Sequence, residues 1–434
     1  MKFGLLGILQ LPRPWKVDAE LKLFQQALEQ VELADRLGFE YLWQVEHHFL
    51  EEYSHSSAGE SFLAAASQRT RRMRLSSGIT LLPPNYNHPV RVAERLAVLD
   101  LVSNGRAEFG TGESSTFCEL DAFHVSRTEK RAMWRESLVA ICRMMVEEPF
   151  RGANGKYLQM PPRNVIPKPI QKPHPPVWVA CSRQETIVMA ARLGLGAVTF
   201  GFLSPVDAQK WTHDYYSTLA ADATPITYSV NPNVGFLSMF VCVRDARRAA
   251  ELAAAWGEFG YGFRHFYTDG VHRPGKTSVI EEGRKIAALE PPQHLADAAR
   301  LAAYACMGTP EHLRKVLLEY ESAGVDQVIF MHQMGGLQHD DICSGLELFG
   351  KTVLPEFLER DEKAVRDKAR RLEPVIEKAM KARIVPPAPP YDENYAFRAD
   401  GKQIRHFAHE PEPVSTAHDA KNSGTDTGAA RKGG

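Results

Sequence analysis

The chain predicts a closed (β/α)8 barrel, and three features of its 434 residues carry that expectation. Apolar strand-like runs alternate with stretches of helical spacing for most of the length. The alternation yields eight strand–helix units, the number that closes such a barrel. Only three segments fall outside the count.

Phe3–Ile8 is a continuous apolar run of the kind a fully buried strand shows. Leu21, Phe24, Leu28, Val31 and Ala34 then keep helical spacing until Gly38 stops them. A second strand is expected at Phe39–Trp43, with a helix opening over Glu60–Ala66. Arg74–Leu82 reads as the third strand, and Pro89, a natural first-turn residue, starts a helix that ends near Gly105. Arg106–Thr111 is the fourth strand, followed by helix Lys130–Val146; Pro175–Ala180 is the fifth, followed by a helix over Gln184–Leu193. Gly196–Phe200, Gly235–Cys242 and Asp326–Met331 supply the last three strands. Helices are expected after Thr309-Pro310 and near Ile342–Phe349.

Of the segments outside this pattern, residues 148–173 are rich in Pro and Gly and read as a loop or hairpin over the barrel mouth. Residues 257–292, with Tyr261, Phe263, His265, Phe266, Tyr267 and His272, are too long for an ordinary connection and read as a lid. Residues 359–382 are strongly charged and helical in pattern. The run Pro-Pro-Ala-Pro-Pro at 386–390 breaks regular structure, and 415–434 has a disorder-prone composition. The expected division is therefore a barrel over 1–358, with lid-like insertions at 148–173 and 257–292 on its C-terminal face, and an extension over 359–434.

Hydrophobic residues at 44% and charged residues at 24% suit a soluble chain with a large core. A formal net charge of −1 gives no field that would draw it to nucleic acid or anionic lipid. Cys118, Cys142, Cys181, Cys242, Cys306 and Cys343 form no CxxC pair, and the N-terminal run is too short for a signal peptide, so a cytoplasmic setting is expected. No apolar run reaches the ~18–20 residues that cross a bilayer.

Chemistry concentrates where the second strand ends, at Glu46-His47-His48. A metal site is disfavoured, since adjacent histidines point apart and no spaced ligand follows. Two half-buried structural histidines are one reading; the other is proton transfer, for which imidazole is the natural group near neutral pH. Gly110-Thr111-Gly112 superficially suggests a dinucleotide turn but follows the fourth strand rather than the first, and small residues there let a flat ring approach the backbone. Ala180–Thr186 joins the fifth strand to a helix. Ser182 as N-cap, free amides and Arg183 would make an anion site, or simply a capped helix with a solvated arginine. Cys118 reads as an inert small hydrophobe or a reactive thiol near the mouth. Trp211/Tyr215/Tyr216 and Phe263/Phe266/Tyr267 read as core or as substrate lining.

Leu42–Phe49, Arg74–Pro83, His88–Glu94 and Leu99–Arg106, with Gly308–Glu311, Gly324–Asp326 and Val353–Pro355, together resemble the bacterial luciferase-like flavin-dependent monooxygenases over roughly residues 1–358. The resemblance implies that Glu46 and the histidines border the isoalloxazine of FMN, with His47, and His48 beside it, catalytic. It places a non-proline cis peptide at Gly78–Ile79 under the ring, Gly112 beside it, and Cys181, Ser182, Arg183 and Thr186 around the phosphate. Some luciferases have a reactive cysteine where Gly112 stands and a basic residue where Glu113 follows. The implied function is a two-component monooxygenase. Reduced FMN from a separate NAD(P)H:flavin reductase would react with O2 to a C4a-peroxyflavin that oxygenates a small organic substrate, and a homodimer is expected. A deazaflavin-dependent dehydrogenase and a flavin-binding protein without turnover stand as alternatives.

Overall fold

The computed structural model describes residues 1–269, 272–289, 301–384 and 388–397. Strands Lys2–Gly7, Tyr41–Gln44, Arg74–Ser77, Ala107–Gly112, Val177–Cys181, Gly196–Thr199, Val234–Cys242 and Gln327–Met331 follow one another in parallel around a closed ring. Closure is made by Gln327, which lies opposite Gly235 on one side and Lys2 on the other. The expected barrel is therefore present.

Alternate residues of each strand face opposite ways, and the two sets feed two cores. Phe3, Leu5, Leu42 and Leu75 pack outward against the helices. Leu6, Ile8, Trp43, Trp178, Leu237 and Ile329 form the inner cluster, where Trp43 meets Trp178 edge-on at 5.2 Å. Because both faces are buried, strands such as Lys2–Gly7 and Val234–Cys242 read as nearly continuous apolar runs; all nine residues of Val234–Cys242 are buried. The first helix, Ala19–Leu37, ends at Gly38, whose φ of 106° lets its N–H reach Ala34 O and Asp35 O.

Several expectations need correction. The third strand is not continuous over Arg74–Leu82: it stops at Ser77 and resumes as Thr80–Leu81 against Thr111–Gly112, and the Gly78–Ile79 peptide between is cis. Helix Pro205–Asp222, capped by Ser204 Oγ on Asp207 N–H, went unread. Its Tyr215 is buried and donates to Leu195 O and Asn231 O, while Tyr216 donates to Pro232 O, so this aromatic group is core. Residues 148–173 do not cover the mouth. They form a short hairpin, Ala153–Asn154 with Gln159–Met160, and then pack where strands begin. Gln171 bonds both Asp100 oxygens and Ala107 O and accepts from Arg74 there.

The boundary at 358 falls inside one helix, Leu354–Lys381, whose Leu354 and Phe357 are buried in the outer core. Its Asp361 sits 3.2 Å from Lys2 and its Lys368 2.6 Å from Asp326. Met1–Pro389 makes one compact unit; Pro390–Gly434 is a second. Of the latter, 390–397 are described and include a turn closed by Tyr395 N–H on Asp392 O. The segment 415–434 and Pro386-Pro387 lie outside the described residues. Among the described residues no helix is long and apolar enough to cross a membrane.

Candidate active site at the barrel mouth

A cavity of about 760 Å³ opens at the C-terminal ends of the strands, the end where barrels of this kind place their sites. Gly78, Ile79, Gly112, Val179 and Ala180 are among its lining residues. A Cβ added at Gly112 would stand 1.8 Å from Ile79 Cδ1. A cysteine at this position is therefore incompatible with Ile79 as it is placed.

His47 lines the cavity, and its surroundings are fixed by the loop that carries it. Its N–H donates to Ser56 O at 2.9 Å, and Ser56 Oγ, buried, takes a bond from Gln44 and donates to Val45 O. The ring Nδ1 lies 3.1 Å from Glu119 Oε1, which also accepts the His48 N–H at 2.9 Å. Ser114 Oγ donates to the other oxygen of Glu119. Burial alone would raise the Glu119 carboxyl, but these donors hold it below the ordinary carboxylate value. An ionised Glu119 orients the ring with an N–H at Nδ1 and turns Nε2 away from the carboxylate.

His48 is placed differently. It does not line the cavity; its Nε2 lies 3.1 Å from Glu46 Oε1 and its ring meets Phe123 at 4.9 Å. Glu46 in turn accepts from Leu81 N–H and Asn87 Nδ2, so it ties the second strand's exit to the third's. Of the two expected catalytic histidines, the geometry brings His47 to the cavity and gives His48 a supporting position.

On the far wall, Ser182, Arg183 and Thr186 line the cavity, whereas Cys181 is fully buried and does not. Ser182 is not the N-cap: helix Gln184–Arg192 is capped by Arg183, without a side-chain bond. The Arg183 side chain is 73% exposed, and its Nε lies 3.9 Å from the Glu185 carboxylate. Three further cations, Arg127, Lys130 and Arg131, reach the same rim and were missed in the sequence. Glu113 organises two of them, accepting from Arg131 Nε and Nη2 at 2.9 and 2.8 Å and lying 3.5 Å from Lys130. Tyr53 and Glu119 were also missed: Tyr53 sits in the turn just after the motif, and Glu119 on the short helix Phe117–Ala122 far from it in sequence. Among the described residues, no three His, Cys, Asp or Glu side chains are grouped to hold a metal ion.

A family model described as luciferase-like monooxygenase matches residues 1–327. The chain belongs to the luciferase-like monooxygenase family. An uncharacterised protein, y4wF of Sinorhizobium fredii, is 29% identical over 74% of this chain and 89% of its own length. The oxygenase component of a flavin-dependent trigonelline monooxygenase from Acinetobacter baylyi is 28% identical over 45% of this chain and 52% of its own length. The crystal structure of monooxygenase RslO1 from Streptomyces bottropensis superposes with a TM-score of 0.66 at 26% identity, over 82% of this chain and all of that one. The fold alone is shared, at 19% and 18% identity, with the oxygenating constituent of a 3,6-diketocamphane monooxygenase in complex with FMN and with an F420-dependent secondary alcohol dehydrogenase (TM-scores 0.63 and 0.60).

In this flavin-dependent monooxygenase described residues of the segment 257–292 stand at the mouth. Gly257, Gly260 and Phe263 line the cavity, and Phe263 stacks on Tyr53 at 3.7 Å. Two carboxylates after the second strand latch it. Buried Glu52 accepts the Val279 N–H at the start of helix Val279–Leu289, and Glu51 accepts the Gly275 N–H at 2.7 Å. A carboxylate at a helix N-terminus is stabilised by the orphan amides there. The side chains of Phe266 and Tyr267 lie outside the described residues.

Proposed function

We propose that this luciferase-like monooxygenase is the oxygenase half of a two-component system. It takes reduced FMN from a separate NAD(P)H:flavin reductase and uses O2 to oxygenate a small organic substrate. One observation carries the reading: a single cavity joins an apolar floor at Gly78, Ile79 and Gly112, a rim of four cations, and an imidazole oriented by a buried carboxylate.

The residues present fit FMN. Gly112 packs against the Ile79 side chain and Gly78 against Trp43, so the two strand exits close up into a flat, apolar floor with Ile79. Arg127, Lys130, Arg131 and Arg183, with the free amides of helix Gln184–Arg192, suit a phosphate. When bound, reduced FMN supplies the electrons and the centre at which O2 reacts. His47 Nε2 then accepts or returns a proton at the reacting groups, and Glu119 stabilises the imidazolium while the proton is held. Tyr53, Phe263 and the latch at Glu51 and Glu52 exclude water.

A reductase partner is supported by the related trigonelline enzyme, named as an oxygenase component. It is supported too by the glycines of the fourth strand. A Cβ at Gly110 would stand 1.9 Å from Ser77 O, so Gly110 serves strand packing rather than a nicotinamide-binding turn. The test is electron supply. Purified protein should be nearly inert with NAD(P)H and oxidised FMN. Addition of an unrelated flavin reductase, or of chemically reduced FMN in air, should yield oxygenated product in a screen across terpenoids, ketones, aldehydes and aromatics. Rapid direct reduction of bound FMN by NADH or NADPH would defeat the two-component reading. The same rim suits the phosphate of a deazaflavin, and the fold is shared with a deazaflavin enzyme. Anaerobic reduction of a deazaflavin by substrate would put that reading first.

A further inference from the structure

The cavity is chemically divided around the barrel's circumference. Its cations all belong to the fourth and fifth strand exits, where Arg127, Lys130, Arg131 and Arg183 stand. The described part of the facing wall comes from the exits of the last three strands and from Gly257, Gly260 and Phe263. Phe202, Leu237, Met239, Phe263, Met331 and Met334 line it, and from Met189 onward every described lining residue is apolar. His47 stands between the two walls. The lining carboxylates are all committed: Glu46 to Leu81, Asn87 and His48, Glu113 to Arg131, and Glu119 to His47, His48 and Ser114.

On the reading that the cationic rim holds the FMN phosphate, we propose that the substrate compartment is the apolar wall, and that it takes neutral, predominantly apolar organic molecules. Anionic molecules of the same skeleton are rejected. A sulfonate or carboxylate seated there would lose its water and gain no counter-charge among the described lining residues. Selection by shape is loose, because unbranched thioether side chains such as Met239, Met331 and Met334 adapt to irregular ligands. Specificity therefore lies in charge more than in outline.

The test uses the full chain with oxidised FMN and no reductant, so that binding is read without turnover. FMN binding is measured first, by quenching of flavin fluorescence. Two pairs of probes are then titrated calorimetrically into the FMN-loaded protein: 2-decanone against 1-decanesulfonate, and 2-acetylnaphthalene against 2-naphthalenesulfonate. Each neutral probe should bind at least about 100-fold more tightly than its anionic partner, the scale expected for an unpaired charge in an apolar site. Without FMN the sulfonates should bind at the vacant rim and be displaced as FMN is added. Phe202→Lys should narrow the preference in the loaded protein, whereas Phe202→Leu should keep it. Sulfonates that bind the loaded protein as well as the ketones would overturn the inference and leave the FMN reading standing, as would failure of both neutral probes to bind. Failure of FMN to bind in both the oxidised form and, under nitrogen, the chemically reduced form would instead overturn the reading beneath it.

Discussion

Residues 148–173 and 257–292 look alike in the sequence, both interrupting the alternation with a long irregular segment, yet they end at opposite ends of the barrel. The first leaves a helix and enters a strand, so it lies where strands begin. There Gln171 bonds Asp100 and Ala107, and Lys168 Nζ donates to Met144 O and Glu147 O at the end of helix Lys130–Val146. The second follows the seventh strand's exit and lies over the mouth, with Phe263 on Tyr53. Place in the alternation, not composition, separates a plug from a lid. The two ends also differ in purpose. Charges at the closed end are paired and buried, as in Glu108 with Arg74 and Trp178, while the mouth keeps cations and one imidazole nitrogen facing a cavity.

If that contrast is right, changes at the mouth alter chemistry and changes at the closed end alter stability. The largest effect is expected from His47→Ala, with turnover lowered ~10²–10⁴-fold, the range for a group that moves protons in the reaction. FMN affinity should stay nearly unchanged and hydrogen peroxide release per O2 should rise. Unchanged product yield per flavin would make His47 structural. Glu119 links the same site to pH. Its folded carboxyl lies below its ordinary value of 4.5, so its share of stability is complete above pH 4.5 and is lost as pH falls through the folded value. In acid denaturation, Glu119→Gln should flatten that limb.

At the closed end, Glu108→Ala strands Arg74 and the Trp178 N–H. Breaking a buried pair costs roughly 3–5 kcal/mol, and the lower end applies because Arg74 is 28% exposed. Urea unfolding should show this loss while FMN affinity stays within about twofold, a change worth only about 0.4 kcal/mol. A matching loss of FMN affinity would erase the distinction between the ends.

The strands were legible because burial on both faces removes polar residues from them, and the loss of that pattern marks the turns. The strand break at Gly78–Ile79 was legible only through the resemblance, which placed a cis peptide there; Ser-Ser-Gly-Ile-Thr at 76–80 carries no turn signal stronger than a single glycine. Helix Pro205–Asp222 was announced only by Ser204-Pro205-Val206-Asp207, a capping sequence without a strong apolar stripe behind it. In the site, His47 stood out because an imidazole after a strand is a local signal. Glu119 is 72 positions from His47 and sits on a six-residue helix, so only the fold joins them. Lys130 and Arg131 escaped for a similar reason: a cation was sought next to Gly112, whereas it arrives from the following helix and is held there by Glu113.

A smaller effect separates the two sides of the mouth. Arg183→Ala should weaken FMN by roughly 1.5 kcal/mol, the low end for a charged hydrogen bond, because this side chain is largely exposed. Raising salt should erode the difference between wild type and variant, as it screens exposed charges. A substitution on the apolar wall such as Phe202→Leu should leave FMN affinity unchanged. Equal losses from both would mean that the cavity is not divided.

The smallest effect of all is expected from ending the chain after Pro389, and a second truncation, after Leu358, shows by contrast what belongs to the barrel. Ending the chain after Leu358, where the sequence patterns stop, would remove Asp361 and Lys368 and leave Lys2 and Asp326 without those partners. It would also uncover the barrel surface that helix Leu354–Lys381 buries beyond its first turn. Ending it after Pro389 removes none of these, since Met1–Pro389 is a compact unit. The longer form should therefore keep the full chain's melting temperature within a degree or so, while the shorter one should be strongly destabilised or insoluble, as expected when packed helix rather than surface tail is deleted. A stable protein ending at Leu358 would return the helix to the extension, and a destabilised one ending at Pro389 would bring residues beyond it into the barrel's stability.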